Sequence, residues 1–232
     1  MIAIRKALER GHFDFGWLDT RHTFSFGEYQ DPRHMGFRSL RVINEDVIQP
    51  GKGFGTHGHR DMEIITYVIT GEVQHRDSEG HSQVLSAGRF QGMTAGSGIE
   101  HSEWNPSSED PLHLYQIWIR PDERGLVPSY RDLDLADPLE PGESRLIASQ
   151  GGGESVLKIH QDASIHHVLV GPERGFSYTL PPGRYAWIQA VRGNGTVNGQ
   201  RLDAGDGAAL SEEEAAVLAS DQPFEVLLFD LT

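Results

Sequence analysis

The stretch Gly51–Gly71, GKGFGTHGHRDMEIITYVITG, sets His57 and His59 either side of one glycine and then runs into a β-branched, apolar segment. Residues two apart on a strand face the same side, so the two imidazoles project together, with Cα atoms about 6.6 Å apart along the strand. Such a pair can converge on one ion. Downstream, GSGIEHSEWN repeats the parity with His101 and Glu103 after a second glycine-rich turn. A neighbouring strand bringing this pair alongside the first would supply three nitrogens and one carboxylate oxygen, leaving an octahedral ion about two open positions. Glu63 shares the odd-numbered face and offers itself as an alternative ligand or outer-sphere base. A lone His-x-His on a glycine-rich loop more often marks a surface turn; a second His-x-Glu about forty residues on reverses that balance.

Around this stretch, short runs rich in Val, Ile, Phe, Trp and Tyr (EIITYVI, LHLYQIWI, YAWIQAV, FEVLLFDL) alternate with turns built on Gly, Asn, Asp and Pro. Close punctuation of this kind predicts an all-β protein, a sandwich or barrel, with few short helices; SEEEAAV from Ser211 is the one locally helical pattern. Pro121–Glu143 has four prolines, mixed charge and no periodic apolar pattern, and reads as a connector, with a boundary near 135–145. The expected domains are 1–134 and 145–232. The halves share punctuation: strand, glycine, hairpin, then Leu-x-Ala-Gly, with Gly71 and Gly88 in the first and Gly193 and Gly205 in the second. Positions offset from Gly193 and Gly205 as the ligand pairs are from Gly71 and Gly88 hold Thr179, Pro181, Leu218 and Ser220. The second copy lacks the ligands, and nine of the twelve histidines lie at or before His113, so the halves do different jobs.

Composition narrows the chemistry further. A net charge of −14 opposes approach to a phosphate backbone or an anionic membrane, so no direct nucleic-acid or membrane partner is expected. There are no cysteines, which excludes thiolate metal sites, iron–sulfur clusters and cysteine nucleophiles. No signal-like or membrane-length apolar run is present, and a cytoplasmic location is expected. QGMTAGSG lacks the lysine and the following helix of a phosphate loop. His75 and His81 flank an acidic hairpin and read as a solvated turn. His166 and His167 point to opposite faces of any strand. His12, His22, His34, His113 and His160 have no partner at ligand spacing. Phe24, Phe26, Phe54, Trp104 and Trp118 are expected to fill the barrels, some lining a substrate cavity.

GTHGHRDMEIITYVITG resembles the first cupin motif, and GRFQGMTAGSGIEHSEWN the second, with Gly88, Gly96, His101 and Asn105 at the motif's positions. Together with RHTFSFGEYQDP and FRSLRVINEDVIQPG, these segments resemble the pirin family over roughly residues 15–120; Thr94 stands where the second motif commonly has proline. The resemblance implies a bicupin: a metal-binding jelly-roll barrel followed by a degenerate one. It implies His57, His59, His101 and Glu103 as ligands of one divalent transition metal, Fe(II) by default, with Ni, Co, Mn, Cu or Zn also suited to imidazole and carboxylate. Other cupins use the first-motif glutamate, here Glu63, and the spacing from Glu63 to Gly71 is one residue longer than the common pattern, which hints at a bulge. Bacterial relatives are associated with cleavage of the flavonol quercetin by dioxygen with release of carbon monoxide; that activity, with Glu103 taking the flavonol hydroxyl proton, is the leading expectation. A metal-responsive regulatory binding protein and a non-redox isomerase are the alternatives, and a monomer is expected.

Overall fold

The computed structural model describes residues 1–135 and 137–232. Its first half contains β1 (Ile2–Arg5), β2 (Gly11–Asp14), β3 (Leu18–His22), β4 (Leu40–Ile48), β5 (Gly53–His59), β6 (Glu63–Thr70), β7 (Glu72–Asp77), β8 (Ser82–Ser86), β9 (Phe90–Thr94), β10 (Ile99–Trp104), β11 (Leu112–Ile119) and β12 (Ser129–Leu133). The second half contains β13 (Glu143–Ser149), β14 (Leu157–Lys158), β15 (Ala163–Val170), β16 (Phe176–Thr179), β17 (Tyr185–Arg192), β18 (Asn194–Val197), β19 (Gln200–Asp203), β20 (Gly207–Leu210), β21 (Ala215–Ala219) and β22 (Phe224–Leu231). Among the described residues the one helical segment is a single 3-10 turn at Ala7–Glu9, and no helix is long and apolar enough to cross a membrane.

Each half pairs a seven-stranded with a four-stranded sheet: β12-β9-β6-β11-β4-β3-β2 with β5-β10-β7-β8, then β1-β20-β17-β22-β15-β13-β14 with β16-β21-β18-β19. The side chains explain this layering. On β11, Leu112 and Leu114 face inward to meet Val73 and Leu85 of the small sheet, while Tyr115, Ile117 and Ile119 face outward. The outward set joins Ile65, Tyr67, Trp187, Leu227 and Phe229 in a core shared by both halves. The two large sheets are therefore buried on both faces, which is why β6 and β22 read as nearly continuous apolar runs instead of alternating ones. This is the bicupin architecture of an all-β chain.

Three sequence expectations change here. Ser211–Val217 is not helical: Ala216 and Leu218 of β21 point into the second core, and pairing with β16 outweighs local helix propensity. The stretch read as a connector contains β12, which extends the large sheet through β9. Residues 2–5, counted with the first half, pair as β1 with β20 of the second.

The repeat extends to fine detail. Ile69 on β6 is skipped in the register with β11, and Val191 on β17 is skipped in the register with β22, so each half carries a bulge two residues before its glycine. The first is the bulge the Glu63–Gly71 spacing hints at. Gly71 and Gly193 follow with φ of +79° and +74°, each against a proline carbonyl, Pro111 and Pro223. A Cβ at Gly71 would lie 2.7 Å from the Pro111 oxygen, and one at Gly193 would collide harder with Pro223. Gly71→Ala and Gly193→Ala should each lower stability by about 1–3 kcal/mol, the latter more, as read by urea unfolding. Across the interface, the Tyr67 hydroxyl donates to buried Glu225, which also meets His167 and Arg192. Tyr67→Phe should cost about 1 kcal/mol, seen as a lower melting temperature with unchanged metal content.

Candidate metal centre

The four-stranded sheet of the first half carries the imidazoles. In the antiparallel pairing of β10 with β5, His101 sits opposite His57 and Ile99 opposite His59. Between His101 and Glu103 the register shifts, with Gly55 and Thr56 opposing Ser102. That extra residue turns Phe54, rather than Gly55, to the same side as Glu103. On its other edge β10 pairs with β7, placing His75 opposite Glu103 and Asp77 opposite His101.

The resulting cluster is tight. Ligand atoms of His57, His59 and His101 all lie within 4.8 Å of one another, and those of His75, His101 and Glu103 form a second such group. His59 Nε2 and His101 Nε2 are 3.0 Å apart, the span of two nitrogens about 2.1 Å from a shared ion and at right angles to it. The His59 and His101 rings are present as neutral donors. Burial, then the neighbouring imidazoles, lower His59 to about 4 and His101 to about 3.

Hydrogen bonds set which nitrogen is free. The Gly55 carbonyl accepts from His57 Nδ1 at 2.8 Å, so His57 Nε2 keeps its lone pair. For His101 the orientation runs through His75. Burial pushes Asp77 up, but donors from the His81 backbone and from the His75 and His81 rings outweigh it and hold the carboxyl below its usual range. As an ionised acceptor, Asp77 accepts a hydrogen bond from His75 Nε2 at 3.2 Å, leaving His75 Nδ1 to accept from His101 Nδ1 at 3.5 Å. His101 Nε2 is then free to bind an ion. Three imidazoles converging on one point, with the Nδ1 protons of His57 and His101 held elsewhere, fit a divalent transition metal.

Glu103 is clamped from the opposite sheet. Gln91 Nε2 and Thr66 Oγ1 donate to its Oε1 at 2.6 and 3.2 Å, and Gln116 Nε2 donates to Oε2 at 2.8 Å. Tyr130 of β12 donates to Gln91 Oε1 at 3.0 Å and stacks on His75 with centroids 4.4 Å apart. The cavity over the cluster measures about 410 Å³, within the range of small-molecule sites, and Trp17, Phe26, Phe54 and Trp118 wall it. Trp118 meets the His59 ring edge-on at 4.9 Å, and Phe26 meets Trp118 the same way at 5.2 Å. Asp46 also lines the cavity, and burial pushes its carboxyl up to about 7.

Three expectations from sequence are corrected. Glu63 does not face the cluster: its carboxylate accepts from Thr94 Oγ1 at 2.8 Å and lies 3.0 Å from His160 Nδ1, joining the two halves. His75 is not on a solvated turn but fully buried beside His101. Only His81 of that pair lies at the hairpin, half-exposed against Asp77. Among the aromatics, Phe24 packs on Trp187 in the shared core, and Trp104 is exposed on the outer face. His160 and His113 have no metal-like neighbours yet pair with carboxylates, Glu63 and Glu45. The sequence reading missed Thr66, Gln91 and Gln116 as well; each lies inside a largely apolar strand, a pattern that marks polar groups facing a shared buried acceptor.

Comparison with known proteins agrees with this architecture. The pirin family profile matches residues 3–119, and the profile described as the quercetinase C-terminal cupin domain matches residues 146–231. A protein of Escherichia coli K12 named quercetin 2,3-dioxygenase is 48% identical over 231 residues, covering 100% of this chain and 99% of its own. The crystal structure of the bacterial pirin YhhW from Escherichia coli in complex with nickel(II) superposes with a TM-score of 0.94 at 48% identity, covering 100% of this chain and 99% of that one. A quercetin 2,3-dioxygenase from Acinetobacter baumannii, at 19% identity and a TM-score of 0.79 over 99% of this chain and 85% of that one, shares the fold. The chain belongs to the pirin family.

Proposed function

We propose that this protein is a metal-dependent quercetin 2,3-dioxygenase, opening the heterocyclic ring of a flavonol with dioxygen and releasing carbon monoxide. The observation that carries the reading is the convergence of three imidazoles beside a clamped carboxylate, at the floor of an aromatic-walled cavity. His57, His59, His101 and Glu103 hold the ion, for which Fe(II) is the default, and nickel is the metal in the complex of the Escherichia coli relative. When bound, the ion supplies Lewis-acid polarisation of the flavonol's adjacent hydroxyl and ketone oxygens and a redox-capable meeting place for dioxygen.

The chain's own residues do the rest. Trp17, Phe26, Phe54 and Trp118 hold the flat substrate and exclude water. Glu103 accepts the proton of the 3-hydroxyl, converting the flavonol to its electron-rich enolate. Gln91, Thr66 and Gln116 keep the carboxylate at its post while it carries that proton. His75 and Asp77 fix the proton on His101 Nδ1, so that the imidazole keeps one orientation through the cycle.

Two outcomes test this directly. Metal-loaded protein should consume quercetin and dioxygen in equal amounts in an oxygen-electrode assay. Glu103→Gln should lower kcat by about 10²–10⁴-fold, and a glutamine variant as fast as the parent removes Glu103 from the chemistry. His75→Ala, which leaves the proposed ligands in place, should weaken metal binding about tenfold to a hundredfold in a competition titration with a chelator. Unchanged affinity would dismiss the orienting role of His75.

A further inference from the structure

Beside the metal cavity lies a second chamber of about 370 Å³ that shares Trp17, Phe26, Asn44, Asp46 and Phe54 with it. Phe13, Phe15 and Leu18 make most of this chamber apolar. One wall is different. On the paired strands β3 and β4, Thr20 stands opposite Asp46 and His22 opposite Asn44, giving two polar cross-strand pairs on one inward face. These side chains are 3%, 4%, 7% and 4% exposed, respectively, and all four line the chamber.

Their hydrogen bonding is incomplete. Thr20 donates to Asp46, but His22 Nδ1 and Asn44 Oδ1 are buried with no partner among the described residues. Unmet buried polar groups cost about 1–3 kcal/mol each, and apolar residues of similar shape would fill such a wall at no penalty. The His22 ring is itself held by aromatic contacts, 5.5 Å from Phe13 and 5.2 Å from Phe26.

We propose that this second chamber is the pocket for the pendant aryl ring of the substrate, and that Thr20, His22, Asn44 and Asp46 recognise the hydroxyls on that ring. The proposal rests on the reading of the metal cavity as a flavonol-cleaving site. A flavonol joins its pendant ring to the fused rings through one rotatable bond, so each part can lie in its own chamber on either side of the shared residues. The phenyl face meets Phe13, Phe15 and Phe26, while the hydroxyls meet the polar wall. A site built to hydrogen-bond a hydroxyl discriminates strongly against the analogue that lacks it, because its own buried groups are then left unpaired.

The test compares quercetin with galangin, the flavonol identical except that its pendant ring carries no hydroxyl. Metal-loaded parent, His22→Phe and the double variant Thr20→Val/Asp46→Leu are titrated with each flavonol without oxygen, then assayed for oxygen uptake. His22→Phe keeps the aromatic packing, and the double variant removes a donor and its acceptor together, so at least one remains folded. The parent should bind quercetin at least about tenfold more tightly than galangin, and the variants should lose most of that preference while keeping metal content and melting temperature. A parent without the preference, or folded variants that retain it, overturns the chamber assignment. Selective binding without oxygen uptake sinks the dioxygenase reading and leaves the chamber standing. Turnover that ignores the pendant hydroxyls does the reverse, and a parent that binds neither flavonol overturns both.

Discussion

The register of β5 against β10 is the constraint on which the site depends. A strand has a side-chain period of two, so a slip of one residue would turn every imidazole from the cavity to the solvent face. The pairing of His101 with His57 puts both inward and brings His59 within 3.0 Å of His101. The extra residue at Gly55–Thr56 then reverses the parity of what precedes it. Phe54 enters the cavity as a wall, on the side to which regular alternation would have turned Gly55. Register and bulge together thus supply the clustered nitrogens and the aromatic surface beside them.

Opposite that sheet, the large sheet contributes polar groups that an apolar core would not contain. Thr66, Gln91 and Gln116 come from three neighbouring strands and all donate to Glu103. Buried groups of this kind are tolerable only when satisfied together, which makes the carboxylate and its donors a single unit. The second half shows the alternative. Its core is filled by Leu180, Leu202, Ala216 and Leu218, and its contribution is to bury the back of the first half's large sheet. Glu63 with His160 and Tyr67 with Glu225 join the halves at that buried face.

The parity of His57 with His59 and of His101 with Glu103 was legible without coordinates, as were the all-β class, the duplicated glycine punctuation and the bulge before Gly71. Glu63 was misread because parity was carried across Arg60–Met62. There Asp61 takes a positive φ of 49°, and the chain passes to the other sheet, where odd-numbered residues face the second half. His75 was misread because its acidic surroundings suggest a turn, whereas β7 continues to Asp77 and pairing with β10 buries it. Asn44 and Asp46 gave no usable signal. The unbroken polar run Asn44-Glu45-Asp46 in β4 resembles a solvated segment, and only the packing of a sheet covered on both sides reveals that Asn44 and Asp46 are internal.

The central claim is that imidazoles of the first half hold one metal ion in the cavity. X-ray absorption at the nickel edge, on protein given one equivalent of Ni(II), examines it most directly. The account predicts one tightly held ion per chain, a first shell of nitrogen and oxygen, and the outer-shell scattering of several imidazole rings that fades when His101 is replaced by alanine. A shell of oxygens without imidazole scattering, or binding that ignores that replacement, would contradict it.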